Sequence, residues 1–162
     1  MFREMRKKKQ LLSAEESISI LNRMTSGVLA VIGDDNYPYA VPLSYVYNNN
    51  KIYFHSAING HKIDAIVQNN KVSFCVIEQD KIVPEEYTTY FRSVIVFGKA
   101  CILNNDDSKL EALEKLAEKY SPNNLDGRLQ EIEKGFKHVH IIELSIEYLT
   151  GKESIELSRE RK

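Results

Sequence analysis

The first part of the chain has apolar residues at helical spacing. Ser13 and Glu16 form a capping-box pattern, and Ile18 and Leu21 follow at a three-residue step. A serine at the N-cap and an acidic residue three positions later satisfy the free backbone amides at the start of a helix. The pattern therefore predicts an amphipathic helix over residues 14–24.

Six further segments are β-branched, aromatic and bounded by Gly, Pro or Asn, which is typical of strands. They cover residues 28–32, 37–47, 52–57, 72–83, 90–103 and 139–149. Helical spacing returns in three places: in a short helix that begins at about residue 61, over residues 107–120, and over residues 125–134. Six strands with mostly short connections predict an antiparallel barrel of the α+β class with peripheral helices.

The domain organisation follows from the same pattern. We expect one barrel domain over residues 13–152, preceded by a basic and flexible segment, residues 1–12, and followed by a polar C-terminal tail, residues 153–162. The chain has 162 residues, which is within the range of one globular domain.

Composition excludes several classes of partner and site. The net charge is −1, so the whole molecule has no field that would attract nucleic acid or an anionic membrane. No apolar stretch reaches the roughly 18 residues that span a bilayer, and we expect a cytoplasmic protein. Cys75 and Cys101 lie in apolar strands and are expected to be small buried residues. Because the sequence has no phosphate loop, Rossmann fingerprint or nucleophile elbow, any chemistry is expected to come from strands and a cofactor.

Three segments resemble a known family in their order and spacing. Residues 39–44 and 52–57 read YAVPLS and IYFHSA, residues 59–62 read NGHK at a helix start, and residues 90–100 read YFRSVIVFGKA. Together they resemble the FMN-binding split-barrel proteins related to pyridoxamine-phosphate oxidase. The last segment looks most like the nitroimidazole-resistance branch of that superfamily.

The resemblance implies a six-stranded antiparallel split barrel that binds FMN across the interface of a homodimer, with FAD as the alternative cofactor. A dianionic phosphate at the helix opening after Gly60 would meet free backbone amides. Lys62 would add a positive charge, and Arg92 a planar pair of donors. The expected flavin contacts are Val41, Pro42, Leu43, Ser44, Phe54, His55, Ser56, Ala57, His61, Lys62, Arg92 and Ser93.

Two of these residues have alternative interpretations. Arg92 lies in an apolar strand, so it either faces solvent, pairs with an acid such as Glu85 or Glu86, or binds an anion, and we favour the anion. His55 is either a hydrogen-bonded core residue or, as the resemblance implies, a catalytic group that contacts the electron acceptor. Strand alternation places His55 on the face opposite to Ser56.

Two histidines next to and within the last strand are candidate metal ligands. His138 and His140 are spaced to share one strand face, yet the sequence shows no third ligand at a recognisable spacing. We expect no bound metal.

The resemblance also implies the activity. We expect an FMN-dependent oxidoreductase that takes electrons from NADH or NADPH and reduces a small acceptor, such as a nitro-aromatic compound. The sequence has His61-Lys62 where the phosphate oxidases have Arg-Lys, and it lacks their C-terminal Arg/His motif, which argues against pyridoxamine phosphate oxidation. The alternatives are a flavin-binding store or sensor without turnover, and a haem protein with His55, His61 or His138 as ligand.

Overall fold

The computed structural model describes residues 1–161. Its α-helices are α1 (Ala14–Arg23), α2 (His61–Gln68), α3 (Asp106–Tyr120), α4 (Leu125–Gly135) and α5 (Ile155–Glu160). Its strands are β1 (Ser26–Ile32), β2 (Pro38–Ser44), β3 (Val46–Asn48), β4 (Lys51–Ala57), β5 (Lys71–Val83), β6 (Thr88–Ile102) and β7 (Val139–Glu153).

The strands form one antiparallel sheet that curls into a barrel. Their order is β2-β1-β5-β6-β7-β4-β3, so β2 and β3 lie at opposite edges of the sheet. In sequence, however, these two strands are separated only by Tyr45. One extended residue spans about 3.3 Å, so the two edges must meet where the chain passes from β2 to β3. The structure confirms the predicted α+β antiparallel split barrel with peripheral helices.

The strand count is seven instead of the six that were predicted. Residues 37–47 were expected to form one strand, but the chain leaves the ladder at Tyr45 and changes its partner there. β2 pairs with β1, whereas β3 pairs with β4. A continuous aromatic and β-branched run gives no local signal for such a change of partner.

The barrel interior is filled by alternate residues of the strands and closed by α1. In β4 the buried positions alternate, with Ile52 and Phe54 fully buried. Phe74 of β5 packs edge-on against Phe54, with ring centroids 5.0 Å apart. Ile20 and Leu21 of α1 are buried in the same cluster. The capping box at Ser13 predicted from the sequence is present and starts this helix.

The C-terminal end of α3 clamps the Tyr45 junction. The backbone N–H of Tyr45 donates to the Tyr120 hydroxyl oxygen at 2.9 Å, and that hydroxyl lies 2.8 Å from the Tyr45 carbonyl oxygen. The Tyr45 hydroxyl donates to the Leu21 carbonyl at 2.8 Å, and burial raises its pKa. Lys119 Nζ lies 4.1 Å from the centroid of the Tyr45 ring, and partial burial lowers the pKa of Lys119 to about 8. The helix therefore fixes the point at which the barrel changes from one edge to the other.

Both ends of the chain are more structured than their composition suggests. β7 continues to Glu153, and the stretch expected to be a polar tail contains α5, which Ser154 caps. The side chain of Leu157 in α5 is buried. At the other end Leu12 is buried and Leu11 bridges to Lys152 of β7. Local composition did not predict that either segment packs on the barrel, because the residues that each one contacts lie far away in sequence.

Two other expectations concern exposure. Cys101, expected to be buried, is exposed because it lies on the outer face of β6, next to the inward-facing Ala100. Cys75 is half-buried. None of the helices within residues 1–161 combines the length and apolar character needed to cross a bilayer.

Candidate functional site

The barrel is split between β2 and β4. β3 pairs with the first half of β4, with Val46 opposite Tyr53, and no ladder joins the second half of β4 to β2 within the described chain. β2 and β4 nevertheless contact each other. Continuing the β3–β4 register past Tyr45 brings Ser44 opposite His55. The result is a gap, here called the split, with a free strand edge on each side.

Eight of the predicted flavin contacts lie on these two edges. In β4, Phe54 and Ser56 are buried while His55 and Ala57 are exposed, so His55 and Ser56 face opposite ways as strand alternation predicts. In β2, Val41 and Leu43 are half-buried against the core, and Pro42 and Ser44 are exposed. The structure therefore brings residues 41–44 and 54–57 together around one gap.

The α2 end of the split has free polar groups that suit an anion. Ser56 is 4% exposed, and its Oγ has no hydrogen-bond partner among residues 1–161. Four residues later, Gly60 adopts φ = 141° and α2 starts without a side-chain cap. The space at Gly60 is open, since an added Cβ would meet no atom within 4 Å. Uncapped amides at a helix start attract negatively charged groups.

Lys62, in the first turn of α2, is half-buried. It forms no ion pair within the described part of the chain, so its charge remains available to a ligand. The positive φ at Gly60 is left-handed backbone that glycine adopts without strain. This residue lets the chain turn from β4 into the helix and leaves the first amides uncovered.

His61 closes the same end of the split. Its ring stacks on Tyr39 of β2, with centroids 4.2 Å apart, and its Nε2 lies 3.4 Å from the Asp34 backbone nitrogen. Gly33 leaves room for it, because a Cβ there would lie 2.6 Å from His61 Nε2. The pair His61 and Tyr39 therefore marks the limit of the split opposite to the β3–β4 ladder.

Arg92 and Ser93 lie elsewhere in the chain. Ser56 pairs with His140 of β7. The last residue of β6, Ile102, pairs with Ile142, two residues further along β7. Arg92 is ten residues before Ile102 in β6. Ten residues of strand span about 33 Å. Arg92 therefore lies near the other end of the β6–β7 ladder, far from Ser56 within one chain.

Arg92 has acidic partners, but not the ones that its sequence neighbourhood suggested. Its Nε donates to Glu153 Oε2 at 3.2 Å and its Nη1 to Glu78 Oε2 at 3.3 Å. Glu153 is fully buried, and Arg161 Nη2 lies 2.7 Å from its other oxygen. Glu85 and Glu86 were named only as examples of an acid that could pair with Arg92, and the anion was the favoured alternative. The structure instead pairs Arg92 with Glu78 and Glu153, which reach it through strand pairing.

A cavity on the outer side of the split was missed at the sequence level. It measures about 470 Å³ and lies between His55 of β4 and the helices α3 and α4. Ser44 also lines it, which agrees with the extrapolated register. The helices add apolar walls and two charged side chains, Arg128 and Glu131. The amphipathic pattern predicted both helices, but not the strand edge that they cover.

His138 and His140 do not form a metal centre with other residues. No group of three or more His, Cys, Asp or Glu side chains within residues 1–161 is arranged to hold a metal ion. His140 is half-buried beside Ser56 on the neighbouring strand, and His138 is exposed.

The chain is similar to known proteins over most of its length. The sequence pattern of the pyridoxamine 5'-phosphate oxidase family matches residues 13–153. No protein with a curated description matches the chain.

Three of the similar solved structures share the fold. A candidate 5-nitroimidazole antibiotic resistance protein from Bacteroides thetaiotaomicron is 21% identical with a TM-score of 0.74, covering 88% of this chain and 85% of its own. An FAD-binding protein from Mesorhizobium loti is 27% identical with a TM-score of 0.64, covering 90% and 97%. An FAD- and haem-binding protein from Mycobacterium smegmatis is 20% identical with a TM-score of 0.74, covering 90% and 73%.

Proposed function

Because the chain belongs to the pyridoxamine 5'-phosphate oxidase family, we propose that it binds FMN at the split and reduces a small acceptor with electrons from NADH or NADPH. A nitro-aromatic compound is the acceptor class that we propose. The observation that carries the proposal is the buried, unpartnered Ser56 hydroxyl next to the uncapped start of α2. A buried hydroxyl without a partner costs free energy, which a bound phosphate oxygen would recover.

The phosphate of FMN is assigned to the start of α2. The first amides of α2 and the Ser56 hydroxyl would donate hydrogen bonds to its oxygens, and Lys62 would supply a full positive charge. The ring system is assigned to the free edges of β2 and β4, where backbone groups are not used by a ladder. When bound, FMN supplies the hydride and electron transfer chemistry, and the protein supplies position and electrostatics.

A titration with two ligands tests the phosphate site. Lys62→Ala is expected to weaken FMN by about 1.5–3 kcal/mol, the scale of a charge-assisted hydrogen bond, while riboflavin affinity changes little. Quenching of flavin fluorescence measures both affinities. Lys134→Ala, which removes an exposed lysine from α4, is the matched control and should leave both unchanged. Equal losses for FMN and riboflavin would show that Lys62 supports the fold and does not hold phosphate.

His55 is proposed to contact the acceptor. It is exposed, it belongs to the free part of β4, and it faces the α3–α4 side of the split. If His55 donates a proton to the acceptor, His55→Ala should lower the rate of acceptor reduction by about 10²-fold or more. The FMN affinity of this variant should stay within about 1 kcal/mol of the parent. Steady-state oxidation of NADPH with a nitroimidazole or a quinone measures this. His138→Ala, at another exposed histidine, is the control, and a variant with intact flavin and unchanged turnover would remove His55 from the mechanism.

A haem protein is the second candidate function. The similar protein from Mycobacterium smegmatis binds both FAD and haem. The absorption spectrum of the purified protein after addition of FMN, FAD or haem separates these cofactors. A protein that gives a haem spectrum and leaves FMN fluorescence unquenched would reverse the proposal.

A further inference from the structure

The cavity between the split and the two long helices contains a buried charge that is incompletely paired. This α3–α4 cavity is bounded by His55 and Ser44 on the barrel side and by Arg128 on α4. The Arg128 side chain is 10% exposed. Its Nε is buried and has no hydrogen-bond partner in the part of the chain that the structure describes.

The remaining contacts of this guanidinium are long. Nη2 lies 3.4 Å from the Ser121 carbonyl oxygen and 3.5 Å from the Pro122 carbonyl oxygen. Nη1 lies 3.8 Å from Glu118 Oε1. Glu131, a carboxylate that lines the cavity, is exposed and pairs with Lys134 at 3.6 Å. A buried cation without a close anion is costly, and a bidentate carboxylate is the ligand that matches a guanidinium best.

The walls of the α3–α4 cavity favour an apolar ligand body. Leu113, Leu116 and Ile132 line it from the helices, and Val139 lines it from β7. A volume of about 470 Å³ is within the range of small-molecule sites, which are mostly apolar with a few fixed polar groups. One charged donor in an apolar cavity is therefore a pattern that selects an apolar molecule with one acidic group.

We infer that the α3–α4 cavity binds a small aromatic carboxylate, with its carboxylate on Arg128 and its ring between the helices and His55. The binding site rests on the cavity alone. That the bound molecule is also the electron acceptor rests on the proposed function, because only then does His55 lie between it and a flavin.

Calorimetric titration with 4-nitrobenzoate and its neutral analogue 4-nitrobenzamide tests the inference on the protein without flavin. The parent should bind the carboxylate about tenfold or more tightly than the amide, since only the carboxylate meets a charged donor. Arg128→Met should remove this preference and change amide binding less than about twofold. Arg159→Met, which removes an exposed arginine from α5, should change neither affinity. Equal affinities for the two probes in the parent protein would overturn the inference.

A second variant keeps the test valid if Arg128→Met does not fold. Ala117→Leu fills the cavity from α3 without changing any charge, and it should weaken both probes. Unchanged binding in that variant would overturn the inference. Titration with FMN is carried out separately: nitrobenzoate binding without FMN binding rejects the proposed function and retains the cavity site, and the reverse result rejects the cavity site alone.

Discussion

Arg92 pairs with the buried carboxylate of Glu153, and its substitution is predicted to lower the free energy of unfolding. Arg92→Met leaves the fully buried Glu153 with one of its two arginines, and should lower the free energy of unfolding by about 3 kcal/mol. Urea denaturation measures the loss. Lys99→Met on the same strand, which breaks an exposed pair with Glu147, should cost less than about 1 kcal/mol.

The double variant separates charge from packing at this site. Adding Glu153→Met to Arg92→Met removes the buried carboxylate that has lost its Arg92 partner, so the double variant should recover much of the lost stability. Equal losses for Arg92→Met and Lys99→Met would contradict the buried-pair interpretation. The FMN affinity of the folded Arg92→Met variant then tests the contact between Arg92 and the flavin that was predicted from the sequence. Because Arg92 lies far from Ser56 within one chain, that contact requires a second subunit.

Single residues were predictable where a local rule decides them. The opposite faces of His55 and Ser56 follow from the two-residue period of a strand, and the N-cap of α1 follows from its capping box. The partners of Arg92 were not predictable, because Glu78 and Glu153 lie 14 and 61 residues away and meet Arg92 only when the sheet forms. The same holds for Arg128, because the cavity that it lines is built from two helices and three strands.

At the scale of elements, α3 contacts the junction of β2 and β3 through Tyr120. Tyr120→Phe removes the oxygen that accepts from the buried Tyr45 N–H, so this amide is left unpaired at the strand change. We expect a loss of about 1–3 kcal/mol in the free energy of unfolding. Thermal and urea denaturation measure it.

The control for this prediction is another tyrosine with a bonded hydroxyl. Tyr90 donates to Glu86 near the β5–β6 turn, and Tyr90→Phe should change stability by less than about 0.5 kcal/mol. A Tyr120→Phe variant that is as stable as the parent would show that β2 and β3 hold the junction without α3.

The elements themselves followed closely from periodicity, whereas the strand ends followed less well. The helices over residues 107–120 and 125–134 appear as α3 and α4 with their ends shifted by one residue at most. β7 runs four residues further than predicted, to Glu153, because residues 150–153 pair with residues 92–95 of β6, which lie far away in sequence. The change of strand at Tyr45 needs the closed barrel to exist and has no local pattern.

At the scale of the whole molecule, the split barrel was predictable mainly through the resemblance of residues 39–44, 52–57, 59–62 and 90–100 to a family. Periodicity alone predicted an antiparallel barrel. Periodicity does not determine which strand edges remain free at the split, because that depends on the strand order β2-β1-β5-β6-β7-β4-β3. That order places the quoted segments of β2 and β4 on either side of one gap, which explains why their spacing, and no single motif, was informative.

The outer face of β1, β5 and β6 is predicted to be a homodimer interface. Val28, Cys75 and Ile95 stand side by side in register across these strands, and Phe97 and Ile77 extend the row. Each of the four large apolar side chains among them is more than a third exposed. A contiguous exposed apolar surface of this kind marks a binding interface, and a two-fold pair of identical faces is the commonest way to cover it.

Ile95→Asp is expected to give monomers at micromolar concentration, and to weaken FMN binding if the flavin lies between subunits, as the family resemblance implies. A charge at the centre of an apolar interface is left without a partner, which opposes association. Light scattering measures the mass and fluorescence titration the affinity. Leu129→Asp, at an exposed leucine of α4, is the control and should leave a dimer with unchanged FMN affinity. A parent protein with the mass of one chain would contradict the dimer, and a monomeric Ile95→Asp variant that binds FMN as tightly as the parent would place the whole flavin site within one subunit.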